Sequence, residues 1–227
     1  MKQLRVALRF IPSSFHFVAV LSCLLLINAF TVEAGEELNC LVHPYATITI
    51  TAPVAGLLES VTVDRGDLVT AGQTVATIDS SIERANGAVA HAQAQMSNRL
   101  LADLELQRTY AELTMRTIRS PINGVVVERF MSPGEFPKQE PILKLAQVHP
   151  LRVEVFAPPG YIRKVTIGME ASVRLEEPIG GTYKAKVSVV DRVVDPASGM
   201  LGIRLDLPNP DMRVPAGLKC TLQFHRK

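Results

Sequence analysis

The sequence predicts a mainly β chain with a helical insertion: a flattened β-barrel split by a short α-hairpin, followed by a small antiparallel β-barrel domain. Three observations predict it. A Pro/Gly motif occurs twice, as APVAGLLESVTVDRGDLV from residue 52 and as SPINGVVVERFMSPGEFP from residue 120. A proline-free stretch of some 40 residues, 80–119, separates the copies. Alternating apolar and polar segments, broken by turn residues, fill the C-terminal third.

The copies match in spacing. Pro53 and Gly56 correspond to Pro121 and Gly124, and Gly66 and Gly134 each lie 13 residues after their proline. DRGD and SPGE hold equivalent turn positions, where glycine supplies positive φ and Pro, Asp or Ser starts the turn. Short Val- and Leu-rich runs lie between, so each copy reads as several short strands. Half a flattened barrel leaves an apolar face bare, and the second half covers it. The two halves are assigned to residues 42–79 and 120–146.

The insert, 80–119, reads as two helices. Ser80 and Glu83 fit a capping box. Ile82, Ala85, Val89, Ala92 and Met96 follow at spacings of three and four, a narrow helical seam. Ser97-Asn98 interrupts it. A second stripe runs through Leu100, Leu104, Ala111 and Ile118, with Leu101, Leu106 and Leu113 beside it. Both ends must return to one small β-domain, so the helices fold back as an antiparallel hairpin. At 1.5 Å per residue its length is roughly 24 Å. Arg84, Gln93, Arg99, Glu105, Arg108 and Glu112 lie on its outer face, of mixed sign, and form a candidate contact surface for a partner.

The remainder, 147–227, carries LRVEVF, EASVRLEE, KAKVSVVDRVV, LGIRLDL and LKCTLQF, separated by APPG, PIGG, DPASG and PNPD. This is the pattern of a small antiparallel barrel or sandwich.

The N-terminus stands apart. Lys2, Arg5 and Arg9 precede an apolar run from Phe15 to Phe30, and Val32 and Ala34 sit where a signal peptidase reads. Residues 1–34 read as a signal peptide, with the mature chain starting near Gly35. The other reading is an uncleaved anchor, since Phe15 to Val32 is close to the minimum length of a span. Residues 1–34 hold three of the 24 basic residues and one of the 22 acids, leaving 21 of each. A neutral mature chain with no basic patch excludes a nucleic-acid partner. Trp is absent and aromatics make up 5%, so the core is aliphatic. Cys23 leaves with the signal. Cys40 and Cys220 stay in an oxidising compartment, either bonded or as two buried thiols.

The repeat resembles the two halves of a biotinyl/lipoyl-type domain. The Met-Lys pair that carriers of that type modify is missing from the mature chain, and the hairpin occupies its place. A lipoyl-like domain split by a helical hairpin is similar to the periplasmic adaptor, or membrane fusion protein, family of efflux and secretion systems. The stretch LTMRTIRSPINGVV (113–126) is similar to the family's return into the second half-motif. VVDPASGMLGIRLDLPNPDMRVPAGLKCTLQF (193–224) looks like the last strands of its barrel. The resemblance implies a non-enzymatic periplasmic subunit, either free or held to the inner membrane by the N-terminal segment. It implies an inner-membrane transporter of RND or ABC type as partner, an outer-membrane channel as a further partner, and a homo-oligomer. It also implies that Cys40 and Cys220 approach each other in the barrel. Two alternatives remain from the residues: a biotinyl/lipoyl-type carrier or accessory subunit, and a degenerate adaptor serving as an envelope scaffold.

No catalytic, cofactor or metal site is legible. His43, His91, His149 and His225 have no neighbouring ligand at metal spacing, the methionines are scattered, and no glycine loop is built to cradle phosphate. Asp195 and Asp211 sit in proline turns, where Asp closes the turn.

Overall fold

The computed structural model describes residues 36–96 and 99–225, and within 93–102 the backbone alone. The expected signal peptide or anchor, Cys23 and the Ser97-Asn98 break lie outside the described residues. In chain order the strands are β1 (Leu38–Thr51), β2 (Leu58–Val61), β3 (Leu68–Val69) and β4 (Thr74–Ile78). Helices α1 (Ser81–Met96) and α2 (Arg99–Met115) follow, then β5 (Thr117–Arg119), β6 (Gly124–Arg129) and β7 (Pro141–Ala157). A 3-10 helix (Pro159–Arg163) leads to β8 (Glu170–Leu175), β9 (Thr182–Val190), β10 (Leu201–Leu207) and β11 (Lys219–Phe224).

Two long strands organise the molecule. β1 and β7 pair antiparallel from Cys40↔Val155 to Thr51↔Pro141, with a register break between Pro44 and Ala46. One end of this ribbon belongs to the barrel, where the order β1-β11-β8-β9-β10-β7 closes through the β1–β7 pairing into six strands. The barrel is therefore not confined to residues 147–227, because it takes a strand from the start of β1. Alternation explains its filling. Leu201, Ile203, Leu205 and Leu207 of β10 are buried, while Gly202, Arg204 and Asp206 face outward. Leu151, Val153 and Val155 of β7 and Val42 of β1 complete the same core. Each such side chain stabilises by about 1.5–3 kcal/mol on full burial.

Cys40 and Cys220 oppose each other across β1 and β11, with Cα atoms 4.9 Å apart, and are joined by a disulfide between positions 180 residues apart in sequence. The bond ties the first strand of the fold to the last. Cross-links over such long loops typically add about 2–4 kcal/mol.

The other end of the ribbon carries the split domain, where the two half-motifs obey an approximate two-fold relation. Gly66 N–H donates to Val126 C=O at 2.9 Å, and Gly134 N–H donates to Leu58 C=O at 2.8 Å. Leu58 N–H donates to Glu135 C=O and Val126 N–H to Asp67 C=O, both at 2.9 Å. Every partner in one half has its counterpart 68 residues on. The turns repeat as well: the Asp67 carboxylate accepts from Asp64 N–H, and the Glu135 carboxylate accepts from Ser132 N–H. Gly66 and Gly134 have φ of 94° and 90°, a conformation that glycine adopts without strain. Leu58 and Val126 are fully buried with Ile50, Val75, Ile78, Ile118, Leu143 and Leu145.

Gly56 and Gly124 serve differently, through close approach. A Cβ on Gly124 would lie 2.3 Å from the Ala146 carbonyl oxygen, which belongs to backbone that cannot yield. Gly124→Ala is predicted to destabilise the protein by about 2–3 kcal/mol. Gly160→Ala, where nothing lies within 4 Å, is predicted to change stability by less than about 0.5 kcal/mol. Urea denaturation of the two variants checks the contrast; equal midpoints would contradict it.

Candidate functional surface: the hairpin and its base

The hairpin leaves the β-domain between β4 and β5, which are themselves paired, with Thr77 opposite Thr117. Its base is held by Arg116. The guanidinium donates from Nη1 to the Asp79 carbonyl at 2.6 Å and from Nη2 to Glu83 Oε1 at 2.5 Å. Both side chains of this ion pair are largely buried, at 20% and 17% exposure. The Arg116 carbonyl accepts from Ile78 N–H. Gly56 makes room: a Cβ there would lie 2.8 Å from Arg116 Nη1 and 2.4 Å from Ile78 Cγ2. One residue of the first half-motif thus permits the contact that closes the hairpin.

Glu83 is therefore not part of a capping box, contrary to the sequence expectation. Its carboxylate is taken by an arginine 33 residues away, and Ser80 Oγ accepts from Arg84 instead. Asp79 occupies the helix start, its carboxylate accepting from the Ser81 N–H at 2.9 Å and the Ser81 hydroxyl at 3.3 Å. These two bonds, the backbone one foremost, hold Asp79 below the usual carboxylate range. A depressed native value means that this support of the helix start is present above the ordinary value of 3.8 and is lost as pH falls through the native one.

The seam between the helices also differs from the expected one. Ile82 and Val89 are 70% and 57% exposed, and Leu104 and Ala111 face solvent. The packed face of α1 lies one residue, about 100°, further round, at Glu83, Gly87 and Ala90. It meets Leu106, Thr109 and Leu113 of α2. Gly87 is the reason: a Cβ there would stand 3.2 Å from Thr109 Cγ2, so the helices come together over a small residue. Buried Thr109 satisfies its hydroxyl on the Glu105 carbonyl at 2.9 Å.

Of the anticipated contact face, Arg108 and Glu112 pair with each other at 3.0 Å, Arg84 bonds Ser80, and Glu105 is exposed. The side chains of Gln93 and Arg99 lie outside the described residues. The outer surface is not polar alone, because Ile82, Val89, Leu104 and Tyr110 share it.

The split domain carries a second surface that the sequence reading missed. Leu68 projects to solvent beside its strand partner Val125, and Phe136 does so near Leu57. Leu57 and Val125, and likewise Leu68 and Phe136, are counterparts in the two half-motifs. Period-two alternation alone does not reveal them, since both lie in short strands or turns.

Among the described residues, no cluster of three or more His, Cys, Asp or Glu side chains could hold a metal. Nor is any described helix long and apolar enough to cross a membrane.

The family description "CzcB-like, barrel-sandwich hybrid domain" matches residues 46–146, and "CusB-like, beta-barrel domain" matches residues 151–227. The chain belongs to the periplasmic adaptor, or membrane fusion protein, family. Solved adaptor structures share its fold. A MacA–MexA chimeric protein containing the Pseudomonas aeruginosa MexA α-hairpin domain superposes with a TM-score of 0.69 at 20% identity, over 86% of this chain and 82% of that one. ZneB from Cupriavidus metallidurans gives 0.57 at 22% identity, over 86% and 99%. The membrane fusion protein Spr0693 from Streptococcus pneumoniae gives 0.66 at 18%, over 85% and 99%. No curated protein sequence matches the chain significantly. Adaptors of this family are generally non-enzymatic, and membership supports an adaptor role in efflux.

In this adaptor the Arg116 clasp distinguishes a rigid hairpin base from a loose excursion. Arg116→Met is predicted to cost about 2–3 kcal/mol, because it removes charge-assisted bonds and leaves Glu83 unpaired. Arg108→Met, at an exposed pair, is predicted to cost under about 0.5 kcal/mol. Hydrogen exchange adds a local readout: helix amides lose protection in Arg116→Met while barrel amides keep theirs. Equal effects of the two variants would contradict the assignment.

Proposed function

We propose that the chain is a non-enzymatic periplasmic adaptor subunit that couples an inner-membrane transporter, of RND or ABC type, to the export path as a homo-oligomer. The carrying observation is the clasped hairpin seated between two complete half-motifs, in a chain that continues into a closed barrel. In the lipoyl-type alternative the same junction presents a modifiable lysine. Here it presents Asp79, Glu83 and Arg116 locked to one another. The buried Cys40–Cys220 bond supports an oxidising compartment, in keeping with the periplasm. Helices of 16 and 17 residues reach about 25 Å, enough to meet a neighbouring protein but too short to cross the periplasm.

Assembly draws on the apolar pair in each half-motif. The Leu68–Val125 patch of one subunit faces the Leu57–Phe136 patch of the next, a head-to-tail contact that can propagate round a ring. Leu68→Glu and Phe136→Glu are each expected to abolish oligomers in sedimentation velocity. A mixture of the two variants is expected to form dimers and nothing larger, since each supplies one intact patch. Wild-type oligomers in either variant would overturn this contact. For the adaptor role itself, cross-linking in intact cells is expected to capture an integral inner-membrane transporter. A biotinyl or lipoyl mass increment on the purified chain would favour the carrier reading instead.

A further inference from the structure

Both cysteines of the Cys40–Cys220 bond are enclosed by the barrel. Cys40 is 7% exposed and Cys220 2%, and both belong to the core that holds Val42, Val155, Val173 and Leu222. Neither lies on an open edge. β1 has β11 on one side and β7 on the other, so Cys40 stands between Cys220 and Val155. β11 has β1 and β8 beside it, so Cys220 stands between Cys40 and Leu175. Lifting a loop does not uncover such a pair. Access to Cys40 requires parting β1 from two neighbours and exposing Val42, Val153 and Val155, which are wholly buried. That is opening of the barrel as a unit.

Chain order adds timing. β1 is the first strand of the fold and β11 the last, so the barrel closes only when Cys220 and its strand are present. The buried core of the split domain draws on Ile50 to Leu145 alone and does not wait for them. Disulfide formation is an exchange reaction. A cysteine thiolate attacks the disulfide of an oxidant, forms a mixed disulfide and releases one thiolate of the oxidant. The second cysteine thiolate then attacks the first cysteine's sulfur, closes the protein bond and releases the other. Two electrons pass to the oxidant, and each cysteine gives up its proton. The first step needs a thiolate that the oxidant can touch. In the closed barrel neither cysteine offers one.

We propose that the chain is the substrate of a disulfide-carrying thiol oxidase while its barrel is still open, and that oxidation of Cys40 and Cys220 precedes barrel closure. The oxidase meets β1 and β11 as unpaired strands, and closure then buries the product. The order follows from burial and strand topology and needs no transporter, so its test is separate from that of the adaptor role.

The test uses the full chain with Cys23→Ser, which leaves Cys40 and Cys220 as its two thiols. The reduced chain is treated with oxidised glutathione, once in urea and once in buffer alone, and bond formation is followed by alkylation and mass spectrometry. Gly160→Cys, at an exposed site, in a Cys40→Ala and Cys220→Ala background gives the rate of an open thiol in each solution. Relative to that reference, the folded dithiol is expected to oxidise at least about 100-fold more slowly than the unfolded one, because reaction waits for the barrel to open. Hydrogen exchange reports whether the reduced barrel is closed. A reduced chain whose barrel amides are unprotected supports the same order, since no closed barrel then exists without the bond. A dithiol chain with protected barrel amides that oxidises as fast as the unfolded chain would overturn the proposal.

Discussion

The reciprocal hydrogen bonds between the half-motifs are the constraint on which the rest depends. Gly66 and Leu58 in one half bond Val126, Gly134 and Glu135 in the other, and the same set recurs under the two-fold relation. Each bond contributes only about 1 kcal/mol net. Their larger effect is geometric, because they bring Leu58 and Val126 together into one core that neither half encloses alone. Once the halves are stitched in this way, the chain between them is free to make an excursion. Its exit and return already lie on paired strands, β4 and β5, so a helical hairpin fits there without straining the domain.

The hairpin acquires a defined base through Arg116, and the barrel a defined position through β1 and β7. Both long strands contribute to both cores: Val42 and Val153 to the barrel, Ile50 and Leu145 to the split domain. The disulfide closes the barrel at β1 and β11, and Asn209 secures the junction. Its side chain bonds the Val148 and Val214 carbonyls and the Val214 N–H, and its own N–H donates to His149 Nδ1, which places that ring's proton on Nε2. This explains in physical terms why a PNPD turn stands where it does: the loop packs through a buried amide whose every polar atom is matched.

Much of this architecture is written in local sequence. Positive φ at Gly66 and Gly134 and the blocked Cβ at Gly124 are demands that only glycine meets, so the repeat was legible as spacing. The barrel strands were legible because their apolar residues alternate. The helix–helix contact was not, since apolar periodicity led to Ile82 and Val89 whereas the contact is made by Gly87, Ala90 and Thr109. Small residues allow close approach without carrying a hydropathy signal. The Glu83–Arg116 pair was hidden for a different reason. Glu83 fits a local capping pattern, and no local feature indicates that a residue 33 positions on competes for its carboxylate. The contribution of β1 to the barrel is a matter of topology that its own residues do not encode; only the family resemblance brought Cys40 to the barrel.

Neither half-motif encloses the shared core alone, so cooperativity between them is the central claim. Native-state hydrogen exchange at increasing denaturant measures it directly. The account predicts that the amides of Leu58 and Gly66 in the first half and of Val126 and Gly134 in the second merge into one unfolding isotherm. If the first half keeps its protection under conditions where the second has lost it, the halves fold independently and the account is wrong.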